Sequence, residues 1–438
     1  MTNGEINRLG NTIRAEYVDM TDDTLTKLQA HRTSHKDTLA KVFSIVSKES
    51  RSISRESIST YRIKRIESIL NKLYRYPSMD FSRMWDIGGC RCILHSNKQV
   101  YQLKSRLSNI QGLKIRKEYD YIESPKEEGY RSLHLFLQLE GSSIVIELQI
   151  RNRIDHSWAT LVEITDLLYN SKLKEHKKDK KLLRFHYLLS LRDQLTDKQR
   201  IEIIKVLNKY KYFEKLSSVF ARNYIEVRKQ WLDIENKHNH RYFLIETTSE
   251  KVPQISSYKS FEEAEEEYFR IYKLKANANV VLTHLPKPSY DQISIAYSNY
   301  ILTFHSFIDD CFQIYETLIK NTLKNKKVFP FIKYFKEYSD LNIYQIKNQL
   351  NEIIEFNKLK PKNTNKSRFK KKKKEWISDI DRNIKKRNTK NDKFAKSFNN
   401  AVPKSLFTRN AFSFCTKRIM KVQERKLKKM LAITKDKK

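Results

Sequence analysis

The segment IVIELQIR (144–151) constrains the fold most strongly, because its side chains alternate in polarity as they do along an extended strand. Four aliphatic side chains share one face of that strand: Ile144, Ile146, Leu148 and Ile150. The other face carries three polar side chains: Glu147, Gln149 and Arg151. A carboxylate on a central strand is costly unless it is paired or binds a metal. The segment therefore predicts a strand whose second face has a chemical role.

The surrounding segments predict a mixed sheet packed by helices. WDIGGCRCILHS (85–96) is typical of a strand, and a helix is expected near residues 98–109. Further strands are expected over about 113–119, 131–139 and 143–151, with a helix starting near Arg153. Strands interleaved with helices and ending in a hairpin indicate an α+β (α/β) fold.

Four regions of the chain differ in pattern. Residues 1–170 hold the predicted sheet and a helical N-terminus, and residues 171–238 are predicted to form a helical connector. A small β-α-β unit followed by aromatic helices predicts an accessory domain over residues 239–360. Residues 361–438 are predicted to form a basic helical tail.

The net charge is +36, and it is concentrated near the C-terminus. Residues 361–438 contain 27 Lys and Arg against 6 Asp and Glu, a net charge of +21. Such a charge favours a polyphosphate or nucleic-acid partner, since each neutralised phosphate releases counterions. Low-affinity RNA contact is the plainest hypothesis for the tail, and a solvated tail in a lysine-rich composition is the alternative.

Neither a membrane span nor a disulfide framework is expected. No apolar run reaches ~18 residues, and MTNGEINRLG at the N-terminus lacks the apolar segment of a signal peptide. Cys90 and Cys92 have no further soft ligands at zinc-site spacing, so packing in a core is the better interpretation. We expect a soluble, cytoplasmic protein.

The segment YRIKRIESILNKLYRYP (61–77) predicts a helix with a basic stripe. Apolar residues recur at helical spacing, and Pro77 ends the pattern. Lys64, Ser68 and Lys72 lie four residues apart on the opposite side of that helix. The stripe is suited to a triphosphate, and an ordinary surface helix is the alternative.

The turn SPKEEGYRSLH (124–134) combines a proline and a glycine in a chain with only 8 and 7 of these residues. Gly129 permits a tight backbone there. Tyr130 offers a flat surface for a base, while Arg131 and His134 can reach phosphate oxygens. Taken alone, a tyrosine directly after a glycine is more often a core residue than a surface for a base.

Asp86, where the first of these strands begins, is a second carboxylate near the basic stripe. If its strand neighbours the strand of Glu147, the two carboxylates converge. Carboxylates among many Lys and Arg are what Mg²⁺-dependent phosphoryl transfer needs, since oxygen ligands hold the metal and cations hold the phosphates. The alternative is a buried ion pair of Glu147 with Arg151 or Arg91.

In order and spacing, four segments resemble the synthetase domain of the RelA/SpoT family: RIKRIESILNKL, DIGGCRCIL, YDYIESPKEEGYRSLH and IELQIR. The resemblance covers about residues 45–170. It implies a nucleotidyltransferase-like fold and transfer of the β,γ-pyrophosphate of ATP to the ribose 3′-OH of GDP or GTP, with Mg²⁺, to make ppGpp and pppGpp. The family's hydrolase domain is built on a His-Asp pair, and this chain has no His-Asp dipeptide. We therefore expect synthesis without hydrolysis.

The resemblance also implies roles for individual residues. ATP would be held by five side chains, two around adenine and three on the triphosphate: Arg62 and Arg91, then Lys64, Ser68 and Lys72. Asp86 and Glu147 would bind Mg²⁺, and Glu147 would accept the proton of the 3′-hydroxyl. The acceptor base would stack on Tyr130 within a second set: Lys126, Glu128, Arg131, His134 and Gln149.

Glu128 departs from the family pattern, which commonly has Asn two residues before the stacking tyrosine. A carboxylate can still accept hydrogen bonds from guanine, so we expect a GTP pyrophosphokinase. Some toxic relatives instead modify the 3′-terminal adenosine of tRNA and block translation, and a basic chain suits that acceptor. A third hypothesis is an inactive synthetase fold that binds RNA or the ribosome.

Overall fold

The structure is a computed structural model whose contacts divide the chain into two compact units. One unit comprises residues 1–190 and 237–302, and the other comprises residues 191–236 and 303–438. Besides single positions and short runs, the structure describes the following ranges: 1–16, 19–169, 179–215, 239–247, 253–274, 279–297, 304–325 and 327–357.

The first unit begins with three helices: α1 (Asn3–Ala15), α2 (Asp22–Thr33) and α3 (Lys36–Ile53). Strand β1 (Ile58–Ile63) follows, and helix α4 (Ile66–Arg75) begins only after it. The helix expected from Tyr61 is therefore too long by five residues at its start. The sequence ISTYRI is rich in β-branched and aromatic side chains, and it is buried in the sheet except for Arg62.

The next elements follow the expected order. They are β2 (Gly88–Leu94), α5 (Asn97–Ser108), β3 (Leu113–Asp120), β4 (Leu133–Leu139), β5 (Val145–Asn152), α6 (Arg153–Tyr169) and α7 (Lys180–Leu191). After α8 (Asp197–Lys209) of the second unit, the chain returns to the first. There it forms β6 (Tyr242–Thr247), β7 (Gln254–Tyr258), α9 (Phe261–Leu274), β8 (Asn279–His284) and α10 (Tyr290–Ala296).

The eight strands within the described ranges form one mixed sheet in the order β3-β4-β5-β2-β1-β8-β6-β7. The β2–β5 pair is parallel, and the other neighbours are antiparallel. One face is apolar and packs against α3, α5 and α9. Cys90 and Cys92 lie in this core as free thiols. The opposite face carries Glu147 and Gln149, so the alternation in the sequence separates a packed face from a polar one.

The predicted β-α-β unit extends this sheet, whereas the sequence-based division assigned it to a separate accessory domain. β8 pairs with β1 at Ser59, Thr60 and Tyr61, and β6 and β7 follow on its far side. β7 was not expected from the sequence. It is five residues long with small polar side chains, so its pattern alone is weak.

The second unit is helical in the part that the structure describes. α11 (Phe304–Lys324) packs against α12 (Val328–Asn357) and α8, with aromatic contacts such as Phe312–Tyr338, whose ring centroids lie 5.1 Å apart. The predicted basic tail over 361–438 lies largely outside the described residues. None of the helices in the described ranges combines the length and apolarity needed to cross a membrane.

Candidate active site

Asp86 and Glu147 belong to neighbouring parts of the polar face. β2 and β5 run parallel, with Gly89 opposite Glu147, and Asp86 lies three residues before Gly89. The charge on Asp86 opposes ionisation of Glu147, which reflects how close the two carboxylates are. The two carboxylates were expected to converge if their strands were neighbours, and β2 and β5 are neighbours.

Two ammonium groups hold Asp86. Lys64 Nζ lies 2.8 Å from Asp86 Oδ2, and Lys72 Nζ lies 2.9 Å from Asp86 Oδ1. Burial alone would raise the pKa of Asp86, but the two ammonium groups lower it to about 2. Burial lowers the pKa of Lys64, and Asp86 offsets part of that effect. Asp86 is therefore ionised at neutral pH, and each of its oxygens has a cationic partner.

The basic stripe is assembled differently from the predicted single helical face. Lys64 follows the last residue of β1, while Ser68 and Lys72 lie one turn apart on α4. Arg65 begins the helix in extended conformation and separates the two parts. Lys64 and Lys72 nevertheless meet at Asp86, and half-buried Ser68 is their neighbour on α4.

A chain of hydrogen bonds joins Glu147 to Arg151. His134 Nδ1 donates to Glu147 Oε1 at 2.9 Å, and His134 Nε2 lies 2.8 Å from the hydroxyl of Tyr130. Arg151 Nη2 donates to that hydroxyl at 2.6 Å and to Gln149 Oε1 at 2.8 Å. Gln149 Nε2 closes the chain by donating to Glu147 Oε2 at 3.2 Å. Glu147 thus pairs with His134, and Arg151 interacts with neutral groups.

These contacts set the protonation of Glu147, His134 and Tyr130. Burial alone would raise the pKa of Glu147, but the hydrogen bond from His134 brings it below its usual value. Burial opposes protonation of His134, yet Glu147 and Tyr130 raise its pKa. The Tyr130 phenol, also buried, has its pKa lowered to about 8 by Arg151 and His134. At neutral pH Glu147 is ionised and available to accept a proton.

The turn before Tyr130 requires a glycine. Gly129 has φ +90°, and a Cβ there would lie 2.2 Å from Ser190 Oγ and 2.6 Å from Ser190 Cβ. Its N–H donates to the carbonyl of Lys126 at 2.8 Å, and Lys126 N–H donates to the carbonyl of Tyr130 at 3.2 Å. These bonds bring the Lys126 ammonium to 5.2 Å from the Tyr130 ring centroid. Half-buried Glu128 lies in the same turn.

Three further arginines complete the predicted set. Arg62 on β1 lies opposite Gly89, and Arg91 on β2 lies opposite Thr60, so both side chains project from the polar face. Burial, with help from Arg151 and Arg62, lowers the pKa of Arg91 to about 10. Arg131 donates to the carbonyl of Ile122 at 3.4 Å and stays beside the turn.

Two aromatic residues next to the site were missed by the sequence analysis. The rings of Tyr119 and Tyr121 are stacked, with centroids 5.8 Å apart and planes at 10°. The ammonium groups of Lys117 and Lys126 lie 4.6 Å and 4.7 Å from the Tyr119 and Tyr121 centroids. The Tyr121 centroid is 5.2 Å from that of His134. The spacing of two residues in YDY was the available signal, because alternate strand residues share a face.

Comparisons with known proteins concern this same region. A family model described as "Region found in RelA / SpoT proteins" matches residues 61–174. GTP pyrophosphokinase YwaC of Bacillus subtilis is 33% identical over 139 residues, which cover 28% of this chain and 66% of YwaC. GTP pyrophosphokinase YjbM of the same organism is 30% identical over 127 residues, 27% of this chain and 60% of YjbM. The chain thus spans less than two thirds of either relative.

Among solved structures, small alarmone synthetase 2 of Bacillus subtilis has 27% identity and a TM-score of 0.32, covering 43% of this chain and 98% of that one. Small alarmone synthetase 1 of the same organism, bound to its product pppGpp, has 21% identity and a TM-score of 0.33. That match covers 39% of this chain and 90% of the other.

Proposed function

We propose that the chain is a nucleotide pyrophosphokinase with ATP as donor, because residues 61–174 form a RelA/SpoT-family synthetase domain. The observation that carries the proposal is the pair of ionised carboxylates, Glu147 on β5 and Asp86 just before the neighbouring strand β2, with two ammonium groups beside Asp86. A purely structural ion pair needs one carboxylate and one cation. Here Asp86, Glu147, Lys64 and Lys72 lie together at the polar face in the middle of the sheet, which is the arrangement that phosphoryl transfer uses.

In the proposed reaction the acceptor's 3′-hydroxyl oxygen attacks the β-phosphorus of ATP. The bond between that phosphorus and the α,β-bridging oxygen breaks, AMP leaves, and the hydroxyl proton passes to Glu147. His134 holds Glu147 Oε1 in position at 2.9 Å and supports its ionised form. Lys64 and Lys72 exchange their bonds with Asp86 for phosphate oxygens, and Arg62 and Arg91 offer planar groups for adenine.

The donor set fits Mg²⁺. Asp86 and Glu147 supply carboxylate oxygens that are ionised at neutral pH, and Mg²⁺ prefers such hard ligands. When bound by these two residues, Mg²⁺ supplies neutralisation of the charge on the donor's phosphates. The lowered pKa of Glu147 keeps the residue deprotonated under the conditions in which Mg²⁺ binds.

GDP or GTP is the acceptor that we favour. The two curated relatives are named GTP pyrophosphokinases. Tyr130, with Lys126 over its ring, is linked through His134 to Glu147, the proposed proton acceptor. In this assignment Glu128 accepts hydrogen bonds from the guanine edge in place of the family's usual Asn. The product is (p)ppGpp, and the chain synthesises without hydrolysing.

A second candidate acceptor is the 3′ end of tRNA, and the stacked pair Tyr119–Tyr121 is the observation that favours it. Single-stranded RNA is commonly bound by aromatic rings with nearby cations, because each base offers a π-face. The pair continues from His134 toward the sheet edge on β3, and Lys117 and Lys126 lie over its rings. A mononucleotide acceptor would leave Tyr119 unused.

A label-transfer assay tests both acceptors. The protein is incubated with Mg²⁺ and γ-labelled ATP, with GDP, GTP or deacylated tRNA offered separately. We expect label in a guanosine product and its loss, by more than 1000-fold, in Glu147→Gln. Glu140→Gln, an exposed position in the β4–β5 hairpin, is the matched control and should retain activity. Label on tRNA alone would replace the first candidate by the second, and transfer to no acceptor would refute both.

A further inference from the structure

Helix α9 contacts β1 at the point where the chain leaves the sheet. β1 pairs with β2 along its whole length, but with β8 only as far as Tyr61. Beyond that point the N–H of Ile63 donates to the hydroxyl of Tyr268 at 2.9 Å. Ile63 and Tyr268 are both buried, so this hydroxyl replaces a missing strand partner where water does not reach.

The carbonyl of Lys64, the next residue, is held by Arg32, which packs against a second tyrosine of α9. Arg32 Nε donates to the carbonyl of Lys64 at 3.0 Å. The Arg32 guanidinium is almost fully buried and lies over the Tyr272 ring, 4.4 Å from its centroid. The rings of Tyr268 and Tyr272 are stacked, with centroids 5.9 Å apart. The Ile63 N–H is therefore held directly by α9, and the Lys64 carbonyl is held by Arg32 of α2, which packs against the same face of α9.

Lys64 is one of the two residues that hold Asp86, and its side chain is only 17% exposed. A short error in the direction of its backbone would carry its ammonium away from Asp86. A third contact has the same effect, because Tyr61 donates to Glu265 Oε1 at 2.9 Å from the same face of α9. α9 covers residues 261–274, well outside the matched segment 61–174.

We propose that α9 is a positioning element of the donor site. Tyr268 acts through the N–H of Ile63, and Tyr272 acts through Arg32, to fix the direction in which Lys64 leaves β1. The inference rests on the proposed function, in which Lys64 binds the triphosphate of ATP. Tyr268, Tyr272 and Arg32 are positioning residues, so their loss affects use of the donor and leaves use of the acceptor unchanged.

The test compares two substitutions that each remove one tyrosine hydroxyl. Tyr268→Phe deletes the partner of the Ile63 N–H and keeps the ring. Tyr258→Phe is the matched control, because half-buried Tyr258 packs against the same core from β7, which β6 and β8 separate from β1. In Tyr268→Phe we expect KM for ATP to rise about fivefold to tenfold, with KM for the acceptor and kcat within about twofold of wild type. The control should match wild type in all three.

A second variant and a direct binding measurement complete the design. Arg32→Lys keeps the charge but lacks the planar group that reaches Lys64, and should raise KM for ATP in the same selective way. The affinity for a non-hydrolysable ATP analogue, measured by calorimetry, should fall in Tyr268→Phe and not in Tyr258→Phe. Thermal melting of each variant verifies that the proteins compared are folded.

The outcomes separate this inference from the proposed function. If wild type binds the analogue but transfers pyrophosphate to no acceptor, the proposed function fails, while weaker binding by Tyr268→Phe alone still supports the role of α9. If analogue affinity is equal in wild type, Tyr268→Phe and Tyr258→Phe, the role of α9 is overturned even when transfer occurs. An equal rise in KM for donor and acceptor would also overturn it.

Discussion

Replacing Asp86 with Asn should weaken the folded state and at the same time strengthen binding of ATP without metal. Asp86 is the shared partner of Lys64 and Lys72, at 2.8 Å and 2.9 Å. The substitution keeps the shape of the side chain and removes its charge. Two ammonium groups are then left facing each other, and a triphosphate relieves that repulsion without first displacing a carboxylate.

The loss of stability follows from the pKa of Asp86. A value of about 2 against an ordinary 3.8 corresponds to about 2 kcal/mol of unfolding free energy at neutral pH. Because the folded-state pKa is the lower one, this contribution is complete above about pH 5 and is lost as the pH falls toward 2. At pH 3 the difference between wild type and Asp86→Asn should shrink to about 1 kcal/mol.

The assay combines denaturant unfolding at pH 7 and pH 3 with calorimetric titration of ATP in excess chelator. We expect ATP to bind Asp86→Asn about fivefold to tenfold more tightly, a difference of about 1 kcal/mol. The reason is that ATP no longer has to break the two part-buried ion pairs of Asp86 with Lys64 and Lys72. Transfer with Mg²⁺ should be abolished. Asp80→Asn removes the same charge from an exposed position and is the control. Equal behaviour of the two variants, or weaker ATP binding by Asp86→Asn, would refute this reasoning.

Two further substitutions test the acceptor side. Gly129→Ala should lower the free energy of unfolding by about 3 kcal/mol and Tm by about 6 °C or more, because its Cβ would lie 2.6 Å from Ser190 Cβ. Gly141→Ala, at φ +76° with nothing within 4 Å, is the control and should lower it by only about 1 kcal/mol. Similar melting of the two variants would contradict this prediction. Tyr130→Phe keeps the ring but loses the hydroxyl bonded to His134 and Arg151. Steady-state kinetics should give a kcat about tenfold lower, with KM for the acceptor within about threefold of wild type. An unchanged kcat would exclude any role of the hydroxyl.

The polar face of the sheet was predictable because its signal is local. Alternation over IVIELQIR fixes which side chains share a face, and the family resemblance orders the segments that carry Asp86 and Glu147. The boundary between β1 and α4 was not predictable, because Ile63 lies two residues after Tyr61, as on one face of a strand, and three residues before Ile66, as on one face of a helix.

The contacts that support the site were beyond reach of any local pattern. Tyr268 and Ile63 are 205 residues apart in sequence, and nothing in α9 distinguishes Tyr268 from the other aromatic residues of an amphipathic helix. The partner of Glu147 was also missed, since the sequence offered Arg151 and Arg91 as candidates and the structure gives His134. Charge alone does not identify a partner when strand register decides which side chain is nearest.

The strand order separates the residues proposed for the donor from most of those proposed for the acceptor. The groups assigned to the donor and to the metal lie on or directly beside β5, β2 and β1, in the middle of the sheet, where each strand has neighbours on both sides. Apart from Gln149 on β5, the groups assigned to the acceptor lie on β4, on β3 and in the turn that precedes β4, toward one edge. In this assignment, substitutions at that edge change which acceptor is bound without changing the residues that bind ATP and Mg²⁺. Under the proposed function, substitutions along this one edge are therefore enough to exchange a nucleotide acceptor for a polymer, while ATP stays the donor.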